Sequence, residues 1–285
     1  MLKITECPRD AMQGIKDMIP TEKKLEYLRQ LLKVGLHRLD FGSFVSPKAI
    51  PQMQDTRLVL ENLDPGTTGT SLLAIIANQR GAEEACTYPQ IRFLGFPFSI
   101  SETFQRRNTN SGITESLDRV KAIQDLCAKH DKNLLVYISM AFGNPYGDAW
   151  GPDLVMDWCH RLANLGIRHM ALADTIGSSE PANISLLFSR LLPELPQVEL
   201  GAHLHSTKEK ALEKIKSAYA SGCRNFDVAI HGFGGCPMAS EELTGNIATE
   251  QLLAFAEEEK LKLGLNSSEL QKAYSLSWNI FNTYH

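Results

Sequence analysis

Eight short apolar runs recur along the chain, and each is followed by a segment with the hydrophobic period of an α-helix. Runs of this length that are rich in β-branched residues are typical of buried strands. Eight βα units with no linker between them predict an α/β fold, the (β/α)8 TIM barrel. The predicted strands span residues 3–7, 38–44, 71–78, 91–96, 133–140, 169–175, 199–206 and 225–231, and helix-like stretches include 22–34, 114–129, 151–165, 180–192 and 207–221.

The end of the chain and its length complete this prediction. Residues 246–259 and 267–282 are expected to form the eighth helix and an added C-terminal helix. A doubly wound sheet is the competing architecture, but no glycine-rich dinucleotide turn follows the first strand, and eight units are more than such a sheet usually contains. A length of 285 residues is normal for one barrel, so we expect a single catalytic domain over residues 1–285.

The composition narrows the range of partners and compartments. The formal net charge of −4 gives no broad basic surface, so nucleic acid is not expected as the main partner. We identify no secretory signal, and no stretch approaches the roughly 18 apolar residues of a membrane helix, so no membrane association is expected. The six cysteines form no CxxC pair, which favours reduced thiols and a cytoplasmic protein.

Polar side chains collect where the predicted strands end, which is where a (β/α)8 barrel carries its chemistry. His203 and His205 form an H-x-H pair, and strand alternation places both imidazoles on one face. Asp10 would supply a carboxylate at the same rim, and Asn246 a neutral carbonyl oxygen. Such ligands, with open positions for water, suit Mg2+ or Mn2+, although Zn2+ and Co2+ are alternatives.

Each of these residues also has a purely structural interpretation. Two inward histidines can be core residues that are hydrogen-bonded to their neighbours. A single Asp or Asn at the start of a loop is more often a helix cap or a turn residue. It is the combination of the four that predicts a metal site.

Several motifs along the chain match one family. The wider group of metal-dependent barrel lyases and Claisen-type synthases shares R-D-x-x-Q, here residues 9–13, and H-x-H, here 203–205. S-F-V-S-P-K at 43–48 and G-x-G-G-C-P at 232–237 are specific to the lyase branch. Further matches are P-Q-M at 51–53, A-F-G-N-P-Y at 141–146, D-T-I-G at 174–177 and G-N-I-A-T-E at 245–250. The chain therefore resembles the 3-hydroxy-3-methylglutaryl-CoA lyases.

This resemblance implies cleavage of 3-hydroxy-3-methylglutaryl-CoA to acetyl-CoA and acetoacetate, a step of leucine degradation and ketone-body formation. By position, the residues that match metal ligands are Asp10, His203, His205 and Asn246. The residues that match catalytic groups are Arg9, which would stabilise the enolate oxygen, Asp174, a carboxylate, and Cys236, a thiol on a mobile loop. Asp40 stands where many relatives carry glutamate, and we count it among the catalytic residues.

The chemistry of such a cleavage is consistent with these roles. A metal bound to the tertiary hydroxyl lowers its pKa and orients the substrate. Arg9 is always charged and can hold the thioester oxygen as it becomes enolate-like. Asp174 is a plausible base, and Cys236 could protonate the acetyl-CoA enolate on a loop made flexible by its glycines. The structural alternatives are a helix N-cap for Asp174 and a buried thiol for Cys236.

Residues that contact the acyl-CoA are the least readable from sequence. Gln13 and Ser43 belong to the matched motifs, so we expect them to bind substrate. Lys48 and Asn108, with Arg106 and Arg107, lie on predicted rim loops and could meet the nucleotide phosphates, although most such residues are merely solvated. The relatives also suggest a homodimer.

The chain departs from the family pattern at several positions. Ala11 replaces the glycine that usually follows Arg-Asp, which narrows the space beside the metal. Ser206 replaces the aspartate that usually follows H-x-H, which removes an acceptor that would orient His205 or its neighbours. The acidic residue usually four before the arginine aligns with Thr5, and Glu6 would point to the opposite side of the strand.

These departures leave other functions open. A close homologue of the substrate is one alternative. A Claisen-type synthase that condenses acetyl-CoA with a 2-oxo acid is another, although such enzymes usually carry a further C-terminal region. A catalytically silent barrel used for binding is the non-enzyme alternative, and it predicts lost ligands or a lost cysteine.

Overall fold

In the computed structural model, which describes residues 1–66, 68–235 and 244–284, eight parallel strands close into one barrel in sequence order. The closing contact joins β1 to β8, where Lys3 to Glu6 pair with Asn225 to Val228. The predicted (β/α)8 barrel is confirmed. The strands are β1 Lys3–Glu6, β2 Arg38–Phe44, β3 Ser71–Ile76, β4 Ile91–Ser99, β5 Asn133–Ser139, β6 His169–Asp174, β7 Glu199–Leu204 and β8 Asn225–Val228.

The helices form the outer ring, and the predicted ones differ from the observed ones by up to three residues at an end. Asn78 and Ser101 cap two helices that the sequence analysis did not single out, accepting hydrogen bonds from Gly81 N at 2.9 Å and Phe104 N at 3.2 Å. The helices are α1 Pro8–Met12, α2 Thr21–Leu32, α3 Thr56–Glu61, α4 Gln79–Cys86, α5 Glu102–Thr109, α6 Ile113–Lys129, α7 Pro152–Asn164, α8 Pro181–Glu194, α9 Lys208–Ala220, α10 Thr249–Glu258 and α11 Ser267–Thr283.

The eighth helix and the added C-terminal helix are both present, but α10 begins three residues later than predicted. Asn246 and Ala248 instead form single β-bridges with His205 and Ala229. The strand β8 is also shorter than predicted, because the chain turns at His231, whose φ of 63° is incompatible with a strand. Both deviations place backbone from the last βα unit across the rim of the barrel.

The barrel interior is filled at its centre and open at one end. Leu73, Phe93, Leu135, Tyr137 and Ala171 form a separate apolar cluster inside the sheet. At the amino-terminal end of the strands, Glu199 accepts hydrogen bonds from Lys3 and Arg38 and closes that side. The carboxyl end of the strands is left open for a cavity.

Within the described residues, no helix has the length and apolarity needed to cross a bilayer.

Candidate active site

A short helix directly after β1 brings the first two predicted residues to the rim. Pro8 occupies the first helical position of α1, where a missing N–H costs no hydrogen bond, and Arg9 and Asp10 follow it. Both side chains are buried. Gln13 donates to Asp10 Oδ1 at 2.7 Å and accepts from Arg9 Nη1 at 2.9 Å. The R-D-x-x-Q motif is therefore a local hydrogen-bonded unit that orients both charged groups.

The guanidinium of Arg9 lies between two carboxylates. Its Nη2 is 2.6 Å from Asp40 Oδ2, and its Nη1 is 3.2 Å from Asp10 Oδ1. Burial raises the pKa of Asp40 to about 6, although Arg9 opposes this shift. Burial would raise the pKa of Asp10 as well. The charges of Arg9 and of the two histidines have a larger effect in the opposite direction and lower this pKa to about 2. Asp10 is thus a carboxylate at neutral pH, as a ligand for a hard cation must be.

Asp10, His203 and His205 converge as the sequence predicted. One ligand atom of each lies within 4.8 Å of the other two. Asn246 lies beside them: its Nδ2 donates to Asp10 Oδ2 at 2.6 Å and to Phe233 O at 3.0 Å. The four predicted ligands therefore meet in one place.

The donor atoms of this cluster fit a divalent cation. Both ring nitrogens of His205 and the Oδ1 atom of Asn246 are buried and have no hydrogen-bond partner among the residues that the structure describes. Burying polar atoms without a partner is costly, so such atoms call for an explanation. Burial and the neighbouring His203 lower the pKa of His205 to about 4, which keeps its imidazole neutral and able to ligate. A single hard divalent ion can bind one ring nitrogen of His205 and the Oδ1 atom of Asn246, and it therefore accounts for two of the three orphaned atoms.

Asp227 is a site residue that the sequence analysis missed. In the parallel register of β7 and β8 it pairs with His203, and its Oδ2 lies 3.2 Å from His203 Nδ1. Burial opposes protonation of His203, but the hydrogen bond to Asp227 prevails and raises its pKa. A carboxylate on one ring nitrogen orients the other toward a metal. The alternation of side chains along the predicted strand 225–231 could have indicated that Asp227 faces the barrel interior.

A cavity of about 150 Å³ opens over this cluster at the carboxyl end of the strands. Arg9, Asp10, His203 and His205 line it, together with Gln13. The other lining residues are mainly apolar and include Val45, Ile50, Ile75, Pro97 and Phe104. A bound molecule would therefore meet both the charged groups and a water-excluding surface.

The predicted substrate-binding residues are only partly brought to this cavity. Gln13 and Asn108 line it. Lys48 is exposed on the loop that follows β2, next to the lining residue Ala49. Ser43 is not among the lining residues; its side chain is buried, and its backbone N–H donates to Thr56 Oγ1 at 3.2 Å. The Oγ atom of Ser43 has no hydrogen-bond partner among the described residues, and its role in substrate binding stays a prediction.

The structure corrects the environment expected for Asp174. Ala173 and Thr175 line the cavity, so strand alternation turns the intervening Asp174 toward the helices. Its carboxylate accepts from Lys214 Nζ at 3.1 Å and from Ser179 N at 3.0 Å, and it does not line the cavity. Asp174 therefore contacts Lys214 and Ser179 rather than the cavity, and its role as a base stays a prediction. Cys236, the predicted acid, lies outside the described residues.

The residues that depart from the family pattern all lie within the described part of the structure. Glu6 faces the helices, as predicted, and accepts from Thr249 Oγ1 at 2.6 Å and Ile230 N at 2.7 Å. Ser206 Oγ donates to Thr207 O at 2.9 Å. Ala11 is buried directly behind Asp10 in α1. None of these positions supplies a ligand atom of the cluster.

Comparisons with known proteins find lyases of one kind. The chain is 32% identical over 274 residues to a hydroxymethylglutaryl-CoA lyase from Bacillus subtilis, covering 93% of this chain and 88% of that protein. It is 34% identical over 248 residues to a hydroxymethylglutaryl-CoA lyase from Pseudomonas mevalonii, covering 86% and 81%. A solved HMG-CoA lyase from Acinetobacter baumannii, in complex with coenzyme A and 3-methylmalate, superposes with a TM-score of 0.91 at 28% identity, covering 99% and 92% of the two chains.

The family assignment rests on most of the chain. The HMGL-like family model matches residues 3–276, which include every strand of the barrel and all four residues of the metal cluster. The chain therefore belongs to the HMGL-like family.

Proposed function

We propose that the protein cleaves 3-hydroxy-3-methylglutaryl-CoA into acetyl-CoA and acetoacetate with the help of a divalent cation, Mg2+ or Mn2+. The observation that carries this proposal is the set of unpartnered ligand atoms on His205 and Asn246 beside Asp10 and His203. Relatives named as lyases for this substrate support the choice of reaction. A homodimer and a cytoplasmic location stay predictions.

The cleavage separates an enolate-like acetyl-CoA fragment from a ketone. Asp10, His203, His205 and Asn246 would hold the cation, which supplies a Lewis acid for the substrate hydroxyl. Arg9 is already fixed by Asp40 and Asp10, so its positive charge needs no reorganisation as the thioester oxygen gains negative charge. Preorganised charge of this kind stabilises the transition state more than the ground state.

Other residues of the chain complete the proposed site. Asp40 acts by holding Arg9, with three contacts of 2.6–3.2 Å from the guanidinium to its carboxylate. The apolar wall with Val45, Ile75 and Pro97 keeps water from the enolate. Cys236 would give its thiol proton to the enolate carbon, which yields acetyl-CoA; the proton lost by the substrate hydroxyl would pass to solvent, and the Cys236 thiolate would take one back after the product leaves. Gln13 and Asn108 would contact the acyl-CoA, and Lys48 its phosphates.

The test is an acetoacetate assay on metal-stripped protein with 3-hydroxy-3-methylglutaryl-CoA, with and without Mn2+. We expect cleavage only with the metal and a large loss in both His205→Ala and Cys236→Ser. Cys86→Ser, which changes a buried thiol on α4 away from the cavity, is the control and should retain activity.

Two results would contradict the proposal. One is absence of cleavage by folded, Mn2+-loaded protein, and the other is condensation of acetyl-CoA with 2-oxo acids at a higher rate than cleavage. The second result would identify a Claisen-type synthase.

A further inference from the structure

Lys214 on α9 is a buried lysine that bridges the ends of two strands. Its side chain is 1% exposed, and Nζ donates to Asp174 Oδ2 at 3.1 Å, Gly177 O at 3.1 Å and His205 O at 2.8 Å. An ammonium group has three donors, and each has an acceptor here. These acceptors lie at the end of β6, in the turn after it, and directly after β7.

We propose that Lys214 is a positioning residue that fixes His205 toward the cation, an inference that rests on the proposed function. The two histidines are held differently. The ring of His203 is oriented by Asp227, whereas the ring nitrogens of His205 have no partner in the described parts of the chain. The direction of the His205 ring is therefore set through its backbone, and Lys214 binds its carbonyl oxygen just beyond the last residue of β7.

The ion pair also makes a positive charge tolerable near a cation site. An isolated ammonium behind His205 would repel a divalent ion across a medium of low dielectric constant. The carboxylate of Asp174, itself fully buried and bound by Ser179 N, offsets that charge. Asp174 and Lys214 together thus clamp the two strand ends without adding net charge to the site.

A double substitution separates positioning from a merely structural role. Lys214→Met removes the ammonium but keeps an apolar stem, and it leaves Asp174 buried without its cation, which should lower thermal stability. Asp174→Asn/Lys214→Met removes both charges and keeps an acceptor for Ser179 N. If Lys214 serves only to neutralise Asp174, the double variant recovers both stability and metal binding. If Lys214 positions His205, stability recovers but metal binding stays weak.

The measurement is the Kd for Mn2+ of the metal-free protein without substrate, from the EPR signal of free Mn2+, together with the Tm. We expect both the single and the double variant to bind Mn2+ about 10–100-fold more weakly than the parent protein, the usual effect of losing a group that orients a ligand. Lys216→Met is the matched control, because Lys216 lies on the same helix in an exposed pair with Glu258. Its Kd should not change.

The outcomes for this inference and for the proposed function are distinct. An unchanged Kd in the double variant would overturn the positioning role, even if the parent protein cleaves 3-hydroxy-3-methylglutaryl-CoA. Weaker Mn2+ binding in both variants would support the role, even if the parent cleaves a different substrate. A parent protein that binds no Mn2+ would overturn both the positioning role and the proposed metal dependence.

Discussion

At the scale of single residues, β1 and the short helix α1 that follows it carry two carboxylates in opposite environments. Asp10, just beyond the strand, lies beside Arg9 and two histidines, and its pKa is lowered to about 2. Glu6 faces the helices, where burial raises its pKa from the ordinary 4.5 to about 8, in spite of hydrogen bonds from Thr249 and Ile230. Asp10 is therefore ionised at neutral pH and can bind a cation, whereas Glu6 keeps its proton.

Glu6 gives a prediction about stability and pH. The unfolded chain releases this proton near pH 4.5, while the folded protein keeps it to about pH 8, so the glutamate lowers the free energy of unfolding progressively between these values. Glu6→Gln should therefore gain stability relative to the parent across this window, by roughly 2–4 kcal/mol from pH 4.5 to 8. Urea unfolding at pH 5, 6.5 and 8 measures the difference.

The control for this prediction is Glu22→Gln, which changes an exposed glutamate of α2. A difference between Glu6→Gln and the parent that does not change over this pH range, or that shrinks as pH rises, would show that Glu6 is ionised in the folded protein. Thr249 and Ile230 would then stabilise the carboxylate more than burial destabilises it.

How much of the site the sequence predicts depends on whether a residue's partners are local. Asp10, His203 and His205 were predictable, because alternation and the position of strand ends are local properties. Asp227 and Lys214 were not, since their roles depend on the register of β7 against β8 and on the packing of α9. The ion pair of Asp174 with Lys214 was not predictable for the same reason, because it depends on which side of β6 the carboxylate faces.

At the scale of elements, the glycine segment after β8 is packed against the proposed metal ligands Asp10 and Asn246. Gly234 has a φ of 113°, and a Cβ there would overlap Asn246 Nδ2 and approach Asp10 Oδ2 to 3.1 Å. The glycines of the G-x-G-G motif therefore serve close approach at least as much as loop mobility. A side chain at this position would displace two of the proposed ligands, Asn246 and Asp10, together.

We predict that Gly234→Ala weakens Mn2+ binding by at least tenfold, because Asn246 and Asp10 must shift. Gly147→Ala is the matched control: its φ of 75° imposes a similar backbone strain, but a Cβ there meets no atom within 4 Å. Both variants should lose some stability by thermal unfolding, and only the first should lose metal affinity by titration. Equal Kd values for Mn2+ in the two variants would contradict this explanation.

A second element-scale feature explains the P-Q-M motif at 51–53. Gln52 in the 3-10 turn Pro51–Met53 accepts from Ile19 N at 3.0 Å and donates to Ile15 O at 3.1 Å and Asp17 O at 2.9 Å. One buried amide thus holds the loop between α1 and α2, which follows Arg9 and Asp10. The motif is structural support for the cavity rather than a set of contacts inside it.

Gln52→Leu should lower the free energy of unfolding by about 1–3 kcal/mol, since three backbone groups, of which Ile19 N is buried, lose their partner. Gln54→Leu, two residues further along and exposed, is the control and should change it little. Urea unfolding curves measure both. A loss of the same size in the two variants would mean that the three bonds of Gln52 contribute nothing specific.

At the scale of the whole molecule, the barrel confines charge to its two ends. Glu199 with Lys3 and Arg38 closes the amino-terminal end, and the apolar layer around Phe93 and Tyr137 separates it from the cavity. The periodicity of the chain predicted this architecture well, because eight βα units admit few closed arrangements. Strand ends were less predictable. The strand β8 was expected to reach residue 231, but it ends at Val228, shortly before the chain turns at His231.

The central claim is that Asp10, His203, His205 and Asn246 hold the divalent cation on which cleavage depends. The most direct test is to titrate metal-free protein with Mn2+, measuring bound Mn2+ and the rate of acetoacetate formation on the same samples. We predict one Mn2+ bound per chain, half-maximal activity at the Kd, and loss of both in His205→Ala. Full activity in the presence of a chelator, or unchanged Mn2+ binding in His205→Ala, would contradict the account.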